Sequence, residues 1–266
     1  MLKFSVVIPA YNEAEMIEKA VAALLEQNIP RDQFEIIVVD NASTDDTREA
    51  ARRAGADLVV YEGVKGTNIA RQSGVLASHG EIVAFLDADC QPQPNWLRRI
   101  EKLLNQPGVS AVSGPYDYGF PRFRQIMANL YFDFIFRHAD RVLYTLFRRK
   151  AGIMLGGNFA SRREYLDKIG GLPPMKFYGD DAAIGITLAA QIGKVSFTRE
   201  LIVRSSPRRM EREGFVYLTL KYAWHFFRIY FVGIPSSVRD GWAAAARKRA
   251  SVENPPVTHQ VSASVR

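Results

Sequence analysis

Strand-like and helix-like segments alternate through the first 104 residues, and this alternation constrains the fold more strongly than any other feature. Four apolar runs rich in β-branched or aromatic residues predict strands at 4–8, 34–39, 58–61 and 81–86. Segments between them predict helices at about 13–27, 43–55 and 67–78, with Asn12 and Ser43 as N-caps of the first two. Because strand–helix–strand units build parallel sheets with helices on both faces, the pattern predicts a doubly wound, mostly parallel α/β sheet.

The rest of the chain is less regular and predicts a boundary near residue 204. Short strands are expected at 109–112 and 194–197, and helices at 121–150, 161–169, 182–192 and 208–230. We therefore divide the chain into an α/β domain over 1–204, a helical, aromatic and basic extension over 205–249, and a tail over 250–266. The tail mixes Pro, Ser, Val and charged residues, which predicts disorder.

The net charge of +7 comes from one part of the chain. Residues 199–249 hold eleven Lys or Arg and four Asp or Glu, whereas the first 198 residues hold 23 of each sign. Eight aromatic residues lie between 214 and 231, and 122–150 is also rich in aromatic and basic residues. Such segments are typical of helices that lie on an anionic membrane surface, and the alternative is that the aromatic side chains pack on the domain.

Cysteine usage bears on the cellular compartment. Cys90 is the single cysteine, so the chain has no internal disulfide framework, and no signal-peptide pattern precedes the strand at residue 4. Both observations predict a reducing cytoplasm, with the basic segment placing the protein at the inner face of the cell membrane if it binds lipid.

Two carboxylates stand where the fourth strand ends. Asp87 and Asp89 are two residues apart, so their side chains can point the same way along an extended backbone. Two adjacent anions repel each other unless a cation lies between them, and carboxylate oxygens suit Mg²⁺ or Mn²⁺. The pair therefore predicts a divalent metal site, and the alternative is a solvated turn or helix cap.

Other polar residues also follow predicted strands. Residues 9–13 follow the first strand, Asp40 ends the second, and 87–89 follow the fourth. Parallel α/β sheets bind ligands outside the carboxyl ends of their strands. We expect these three stretches to share one site.

Five motifs, taken in order, resemble the family 2 inverting glycosyltransferases of the GT-A fold. They are VVIPAYNE at 6–13, VVDNASTD at 38–45, GTNIAR at 66–71, DAD at 87–89 and GDD at 179–181. The chain departs from the family pattern at Gln72, where Asn is frequent, and at Asp180, where Glu is frequent. The resemblance implies transfer of a sugar from a nucleoside-diphosphate donor to a glycan or lipid-linked acceptor.

The resemblance also assigns residues to the donor and the metal. Asp89 would bind the metal, and Asp87 would bind it either directly or through a water molecule. The donor site would comprise Pro9, Ala10, Tyr11, Glu13, Asp40, Lys65, Arg71, Asp87 and Ala88. An ionised Asp40 accepts hydrogen bonds, so it favours a base with a ring N–H, which puts UDP-sugars first and GDP-sugars second. Lys65 and Arg71 would bind phosphate or remain surface charges.

On the acceptor side, the resemblance implies a general base in the GDD motif. Asp181 is the favoured base and Asp180 the alternative, while both could also cap the following helix. Asp180 would otherwise contact the acceptor together with Gly156, Gly157 and Asn158. The two glycines would let a sugar ring approach closely.

Three other functions compete with this interpretation. A nucleotidyltransferase that makes sugar nucleotides has a similar sheet, but it needs a Gly-rich, Arg-containing loop where this chain has residues 9–13. A sugar-nucleotide or membrane-binding module without catalysis is the second. The third is binding of nucleic acid, which the basic segment suggests. The acidic residues at the strand ends argue against it.

Overall fold

The first half of the chain folds as the alternation predicts, with four parallel strands and three intervening helices. The structure is a computed structural model that describes residues 2–121, 138–139, 141–175, 179–236, 238 and 242. The strands are β1 (Phe4–Ala10), β2 (Phe34–Asp40), β3 (Leu58–Tyr61) and β4 (Ile82–Leu86). The helices are α1 (Ala14–Leu25), α2 (Thr47–Arg53) and α3 (Thr67–Ala77), with a 3₁₀ turn at Arg31–Gln33.

The rest of the described chain adds short strands and further helices. The strands are β5 (Cys90–Pro92), β6 (Val109–Ser113), β7 (Tyr116–Asp117), β8 (Asn158–Arg162), β9 (Lys194–Phe197) and β10 (Val203–Ser205). The α-helices are α4 (Trp96–Leu104), α5 (residues 141–147), α6 (Arg163–Lys168), α7 (Asp180–Gln191), α8 (Arg208–Glu213) and α9 (Phe215–Val232). A second 3₁₀ turn spans Arg199–Leu201.

A mixed sheet of seven strands forms the centre of the domain, in the order β3-β2-β1-β4-β8-β6-β9. β1 is parallel to both of its neighbours, β2 and β4. The chain adds β2 and β3 on one side of β1 and then adds β4 on the other side, so the strand order reverses at β1. A crevice for a ligand forms at such a reversal of strand order. β8 is antiparallel to β4 and β6, so residues just before β8 lie at the carboxyl end of β4.

Helices cover both faces of this sheet, which explains the nearly continuous apolar runs in the sequence. On one face, Ile17 and Leu24 of α1 pack with Val6 and Ile8, and α4 joins the same cluster. On the other face, α3 and α7 pack against alternate strand residues, including Val7, Val39 and Phe85. Burial on both faces fixes the strand register, because a shift by one residue would exchange the faces.

A small second sheet carries the chain back to the end of β4. Its order is β5-β10-β7, and Ser205 of β10 lies opposite Cys90 of β5. Cys90 directly follows Asp89, so the residues after β10 begin beside the carboxylate pair.

The predicted long helix over 208–230 is wrong in one respect, because it consists of two helices. Gly214 separates α8 from α9 with φ of 85°, a conformation that ends a helix. α9 packs its buried Ile229 and Tyr230 against Ala183 and Ile186 of α7. Within the part of the chain described, no helix has both the length and the apolar character to cross a membrane.

Two predictions fall largely beyond the described residues. The tail over 250–266 lies outside them, as does most of the helix expected at 121–150, of which residues 141–147 are described as helical. The proposed boundaries at 204 and 249 remain predictions.

Candidate active site

The loops after β1 and β2 bind each other at the edge of the sheet. The backbone N–H of Asn12 donates to Ser43 Oγ (3.0 Å), and Asn12 Oδ1 accepts from the backbone N–H of Thr44 (2.9 Å). The predicted N-caps are therefore wrong: α1 and α2 begin after Glu13 and Asp46 and have no side-chain cap. The two side chains instead join neighbouring loops into one rim.

Asp40 lies beneath this rim with no exposed surface. Its Oδ1 accepts a hydrogen bond from the backbone N–H of Ser43 (3.1 Å). Arg48 Nε lies 2.8 Å from Oδ2, but without hydrogen-bond geometry, so Oδ2 is a buried acceptor without a hydrogen bond. A nucleobase could reach Asp40 only if its neighbours, among them Arg48, move.

Tyr11 and Lys65, two predicted donor residues, meet at the mouth of the same edge. Lys65 Nζ donates to Tyr11 Oη (2.8 Å) and lies 4.4 Å from the centre of the Tyr11 ring. Asn41 holds the Lys65 loop in place, because its side chain donates to Val64 O (2.8 Å) and accepts from Gly66 N (2.7 Å). Pro9 and Ala10 form the end of β1, where Ala10 lies opposite Asp40.

An acidic cluster formed by Glu13, Asp87 and Asp89 occupies the crevice between β1 and β4. Burial, with the charges of Asp87 and Glu13, raises the pKa of Asp89 to about 6. Burial likewise raises the pKa of Glu13. Ala88, between the two aspartates, is buried. Glu13 and Asp89 are therefore costly to ionise in this cluster.

Arg208 supplies a positive charge to this cluster from the C-terminal half of the chain. Its Nη2 donates to Glu13 Oε2 (2.6 Å) and lies 3.9 Å from Asp89 Oδ2. The sequence does not predict Arg208 as a site residue; its one signal is the basic excess over residues 199–249.

The acidic cluster has the chemistry of a divalent cation site. Oxygen ligands with mutually repelling negative charges are what Mg²⁺ and Mn²⁺ bind. No group of three or more His, Cys, Asp or Glu in the described ranges is already arranged around an ion position. The residues present fit a metal, and Arg208 occupies part of the space beside them.

Arg71 joins the acidic cluster to the start of α7. This nearly buried arginine donates from Nη2 to Asp87 Oδ1 (2.9 Å) and from Nη1 to Asp180 Oδ2 (3.0 Å). Its planar fork can serve two carboxylates at once. Arg71 therefore connects the predicted donor and acceptor sides of the site.

Asp181 lies in the first turn of α7, directly after Asp180. Its Oδ1 accepts from the backbone N–H of Ala182 (2.8 Å). Burial and the charge of Asp180 raise the pKa of Asp181 to about 7. A carboxyl group with this pKa can take up a proton near neutral pH. Asp180 is bound to Arg71, which leaves Asp181 as the better candidate for a base.

Gly156 lies close to Asp181, and Gly157 lies close to Asp87. A Cβ at Gly157 would stand 1.8 Å from Asp87 Oδ2 and 2.6 Å from Tyr116 Oη, so any other residue there would displace these side chains. A Cβ at Gly156 would stand 3.1 Å from Arg71 Nη1 and 3.4 Å from Asp181 Cβ. Tyr116, which was not among the predicted site residues, is thus a neighbour of Asp87.

The structure does not support Asn158 as an acceptor ligand. Its side chain is fully buried and donates to Gly114 O (2.9 Å) and Leu201 O (2.6 Å). Its Oδ1 accepts from Trp96 Nε1 (3.1 Å). These bonds join β8 to α4 and to the segment before β10, which is a structural role.

A family model described as glycosyl transferase family 2 matches residues 5–170. Glycosyltransferase AglE of Haloferax volcanii is 38% identical over 122 residues, which cover 44% of this chain and 40% of AglE. The poly(ribitol-phosphate) β-N-acetylglucosaminyltransferase TarS of Staphylococcus aureus is 33% identical over 94 residues, which cover 34% of this chain and 16% of TarS. The chain thus matches less than half the length of both relatives.

Two solved structures resemble the whole fold. The mannosyltransferase PcManGT of Pyrobaculum calidifontis, in complex with GDP-Man and Mn²⁺, has a TM-score of 0.61 at 25% identity over 95% of this chain and 75% of its own. The glucosyl-3-phosphoglycerate synthase of Mycobacterium tuberculosis, in complex with phosphoglyceric acid, has a TM-score of 0.61 at 26% identity over 89% of this chain and 82% of its own.

Proposed function

Because the chain belongs to glycosyl transferase family 2, with a GT-A-like fold, we propose that it transfers a sugar from a nucleoside diphosphate to a glycan or lipid-linked acceptor. The transfer would be a single displacement that inverts the anomeric carbon. One observation carries the proposal: Arg71 joins Asp87, in an acidic cluster suited to a metal and a diphosphate, to Asp180. Asp180 directly precedes Asp181, a carboxyl group of raised pKa. Neither the acidic cluster nor the carboxyl group of raised pKa alone would suffice for sugar transfer.

We propose that the donor lies in the crevice between β1 and β4. Asp89 would hold a divalent metal with Asp87, and this metal would neutralise charge on the leaving diphosphate. Asp40 would accept the ring N–H of the base, which favours UDP first and GDP second. The complex of PcManGT with GDP-Man and Mn²⁺ supports the proposal of a divalent metal in this site. It also supports a GDP-sugar as the second candidate donor.

The acceptor hydroxyl loses its proton during the transfer, and a side chain of this protein must accept it. The acceptor hydroxyl oxygen would bond to the anomeric carbon as the bond to the diphosphate oxygen breaks, and the hydroxyl proton would pass to Asp181. Asp181 lies beside Gly156 and Asp87 beside Gly157, so the proposed base and the proposed diphosphate site are close to different residues of the glycine pair. We propose that the acceptor and the leaving diphosphate lie on opposite sides of the anomeric carbon. Attack from one side and departure on the other inverts the anomeric centre.

The pH dependence of kcat/KM follows from Asp181. A carboxyl group accepts a proton only when it is ionised, so the rate should fall about tenfold per pH unit below a pKa of about 7. Asp180→Asn removes a charge that raises this pKa, so it should move the acid limb to lower pH. If the limb does not move, it belongs to another group.

Gly157→Ala should reduce kcat/KM by about 100-fold, because a methyl group at this position would displace the Asp87 carboxylate. Steady-state kinetics at saturating metal would measure the loss. Gly63→Ala is the matched control, since its added Cβ would make only ordinary contact with the Tyr61 ring, at 3.5 Å. Equal kinetics for the two variants would contradict the placement of Asp87 in the site.

Thermal unfolding with UDP, GDP, dTDP or CMP, each with Mn²⁺ and with EDTA, tests the donor site. A nucleotide at about 100 times its Kd adds roughly 2.7 kcal/mol, or a rise in Tm of about 5–10 °C for a chain of this size. We expect a rise with UDP or GDP that requires Mn²⁺. No rise with any diphosphate would reject the proposal.

Turnover distinguishes the proposal from its competitors. A transferase releases nucleoside diphosphate from a sugar nucleotide in the presence of an acceptor, a nucleotidyltransferase consumes a nucleoside triphosphate, and a binding module does neither. Metal-dependent binding of UDP without any turnover of UDP-sugars across an acceptor panel would favour the binding module.

A further inference from the structure

Helix α9 has two apolar faces, and among the residues that the structure describes one face is buried and the other is exposed. Leu218, Ile229 and Tyr230 are buried on the inner face. The outer face carries five exposed side chains at alternating spacings of three and four residues: Tyr217, Leu220, Trp224, Phe227 and Phe231. Trp224 is 70% exposed and Leu220 is 65% exposed. This spacing makes a continuous apolar stripe along the helix.

Helix α5 extends this stripe. The ring centres of Phe147 and Phe231 are 5.0 Å apart in an edge-to-face contact. Val142, Tyr144 and Leu146 are also exposed. We define the α5–α9 surface as residues 141–150 together with the outer face of α9. Adjoining exposed apolar side chains of this number mark an interaction site.

The charges beside these side chains have a single sign. Residues 141–150 and 214–236 contain six Lys or Arg and no Asp or Glu: Arg141, Arg148, Arg149, Lys150, Lys221 and Arg228. Lys221 pairs with Glu213, which precedes this stretch. Two copies of the chain facing each other through this surface would bring like charges together, which opposes self-association. An anionic partner is favoured.

We propose that the α5–α9 surface docks on an anionic lipid bilayer. Apolar and aromatic side chains would enter the headgroup region, and the surrounding cations would attract anionic lipids. Trp and Tyr are the side chains that prefer this boundary. Since neither helix, over its described residues, is long and apolar enough to span a bilayer, α5 and α9 would lie in the plane of the interface.

This position has a consequence for the acceptor, and that step rests on the proposed transferase function. A Cβ at Gly179, the residue before Asp180, would stand 3.3 Å from Ile229 of α9. The membrane-facing helix therefore packs against the start of α7, which carries the proposed base Asp181. An acceptor whose lipid end stays in the bilayer would reach the site from this side.

Co-sedimentation of the full chain with vesicles tests the docking surface. We expect binding to phosphatidylcholine vesicles that contain phosphatidylglycerol, weaker binding without it, and partial release by salt. Trp224→Glu should weaken binding about tenfold or more, because it removes a large apolar side chain and adds a repelled charge. Leu76→Glu is the control, since Leu76 is 63% exposed on α3, which is not part of this surface.

Two outcomes would overturn the proposal. Either wild-type protein fails to bind anionic vesicles, or it is a dimer that Trp224→Glu converts to a monomer while vesicle binding is unchanged. Trp224→Glu should keep the Tm of the wild type and its rise with nucleoside diphosphate and Mn²⁺. If Trp224→Glu loses vesicle binding but keeps the nucleotide-dependent rise in Tm, the docking surface is separate from the donor site. If wild-type protein shows no such rise in Tm, the result counts against the proposed transferase function and not against docking.

Discussion

Asp181→Asn is expected to lower kcat by about 10²- to 10⁴-fold, the usual contribution of a positioned general base. An amide cannot take the acceptor proton at neutral pH, whereas its size and its bond from the Ala182 N–H can be retained. Nucleoside-diphosphate binding should persist, since the acidic cluster is unchanged. Turnover and the nucleotide-dependent rise in Tm, measured on the same preparation, separate these two effects.

Asp180→Asn is the matched control for this substitution. It alters the neighbouring carboxylate on the same helix turn and keeps the proposed base, so its loss in kcat should be much smaller. If Asp180→Asn were the more damaging variant, the base would be Asp180. If Asp181→Asn abolished both turnover and nucleotide binding, Asp181 would have a role in folding.

Arg71→Ala is expected to remove activity and to lower the free energy of unfolding by about 3 kcal/mol, because it leaves partly buried carboxylates without their counter-charge. For a chain of this size that corresponds to a fall in Tm of roughly 6–12 °C. The reason is the double contact of Arg71 with Asp87 and Asp180. Calorimetry or circular dichroism would measure the stability.

Arg71→Lys and Arg212→Ala are the controls for that prediction. Lysine keeps the charge but cannot hold two carboxylates through one planar fork, so it should recover part of the stability and little of the activity. Arg212 is 79% exposed, and its replacement should change Tm very little. An Arg71→Ala protein with wild-type Tm would show that the bridge contributes nothing to folding.

The first half of the fold could be predicted because each strand–helix unit specifies itself locally. Strand residues are apolar on both faces where both faces are covered by helices, and the strands end at polar residues. The grouping of residues 9–13, Asp40 and 87–89 at one edge followed from parallel pairing, which the structure has. These inferences needed no contact between distant parts of the chain.

Contacts across long sequence separations could not be predicted. Asn12 and Ser43 have the composition of helix caps, but their partners lie in each other's loops, 31 residues apart. Arg208 reaches Glu13 across 195 residues, and the sequence shows only a local excess of basic residues. Asn158 follows two site glycines yet faces three buried partners, which no local pattern reveals.

The antiparallel direction of β8 separates the two half-sites by their origin in the chain. Most proposed donor residues lie at the ends of β1, β2 and β4 or in the short loops that follow them, with Lys65 after β3 and Arg71 in α3. The glycine pair instead ends one long connection that precedes β8. Mutations in the short loops act on elements that also build the sheet, while that connection can diverge with less effect on it. Acceptor preference could therefore diversify during evolution while the donor preference was inherited unchanged.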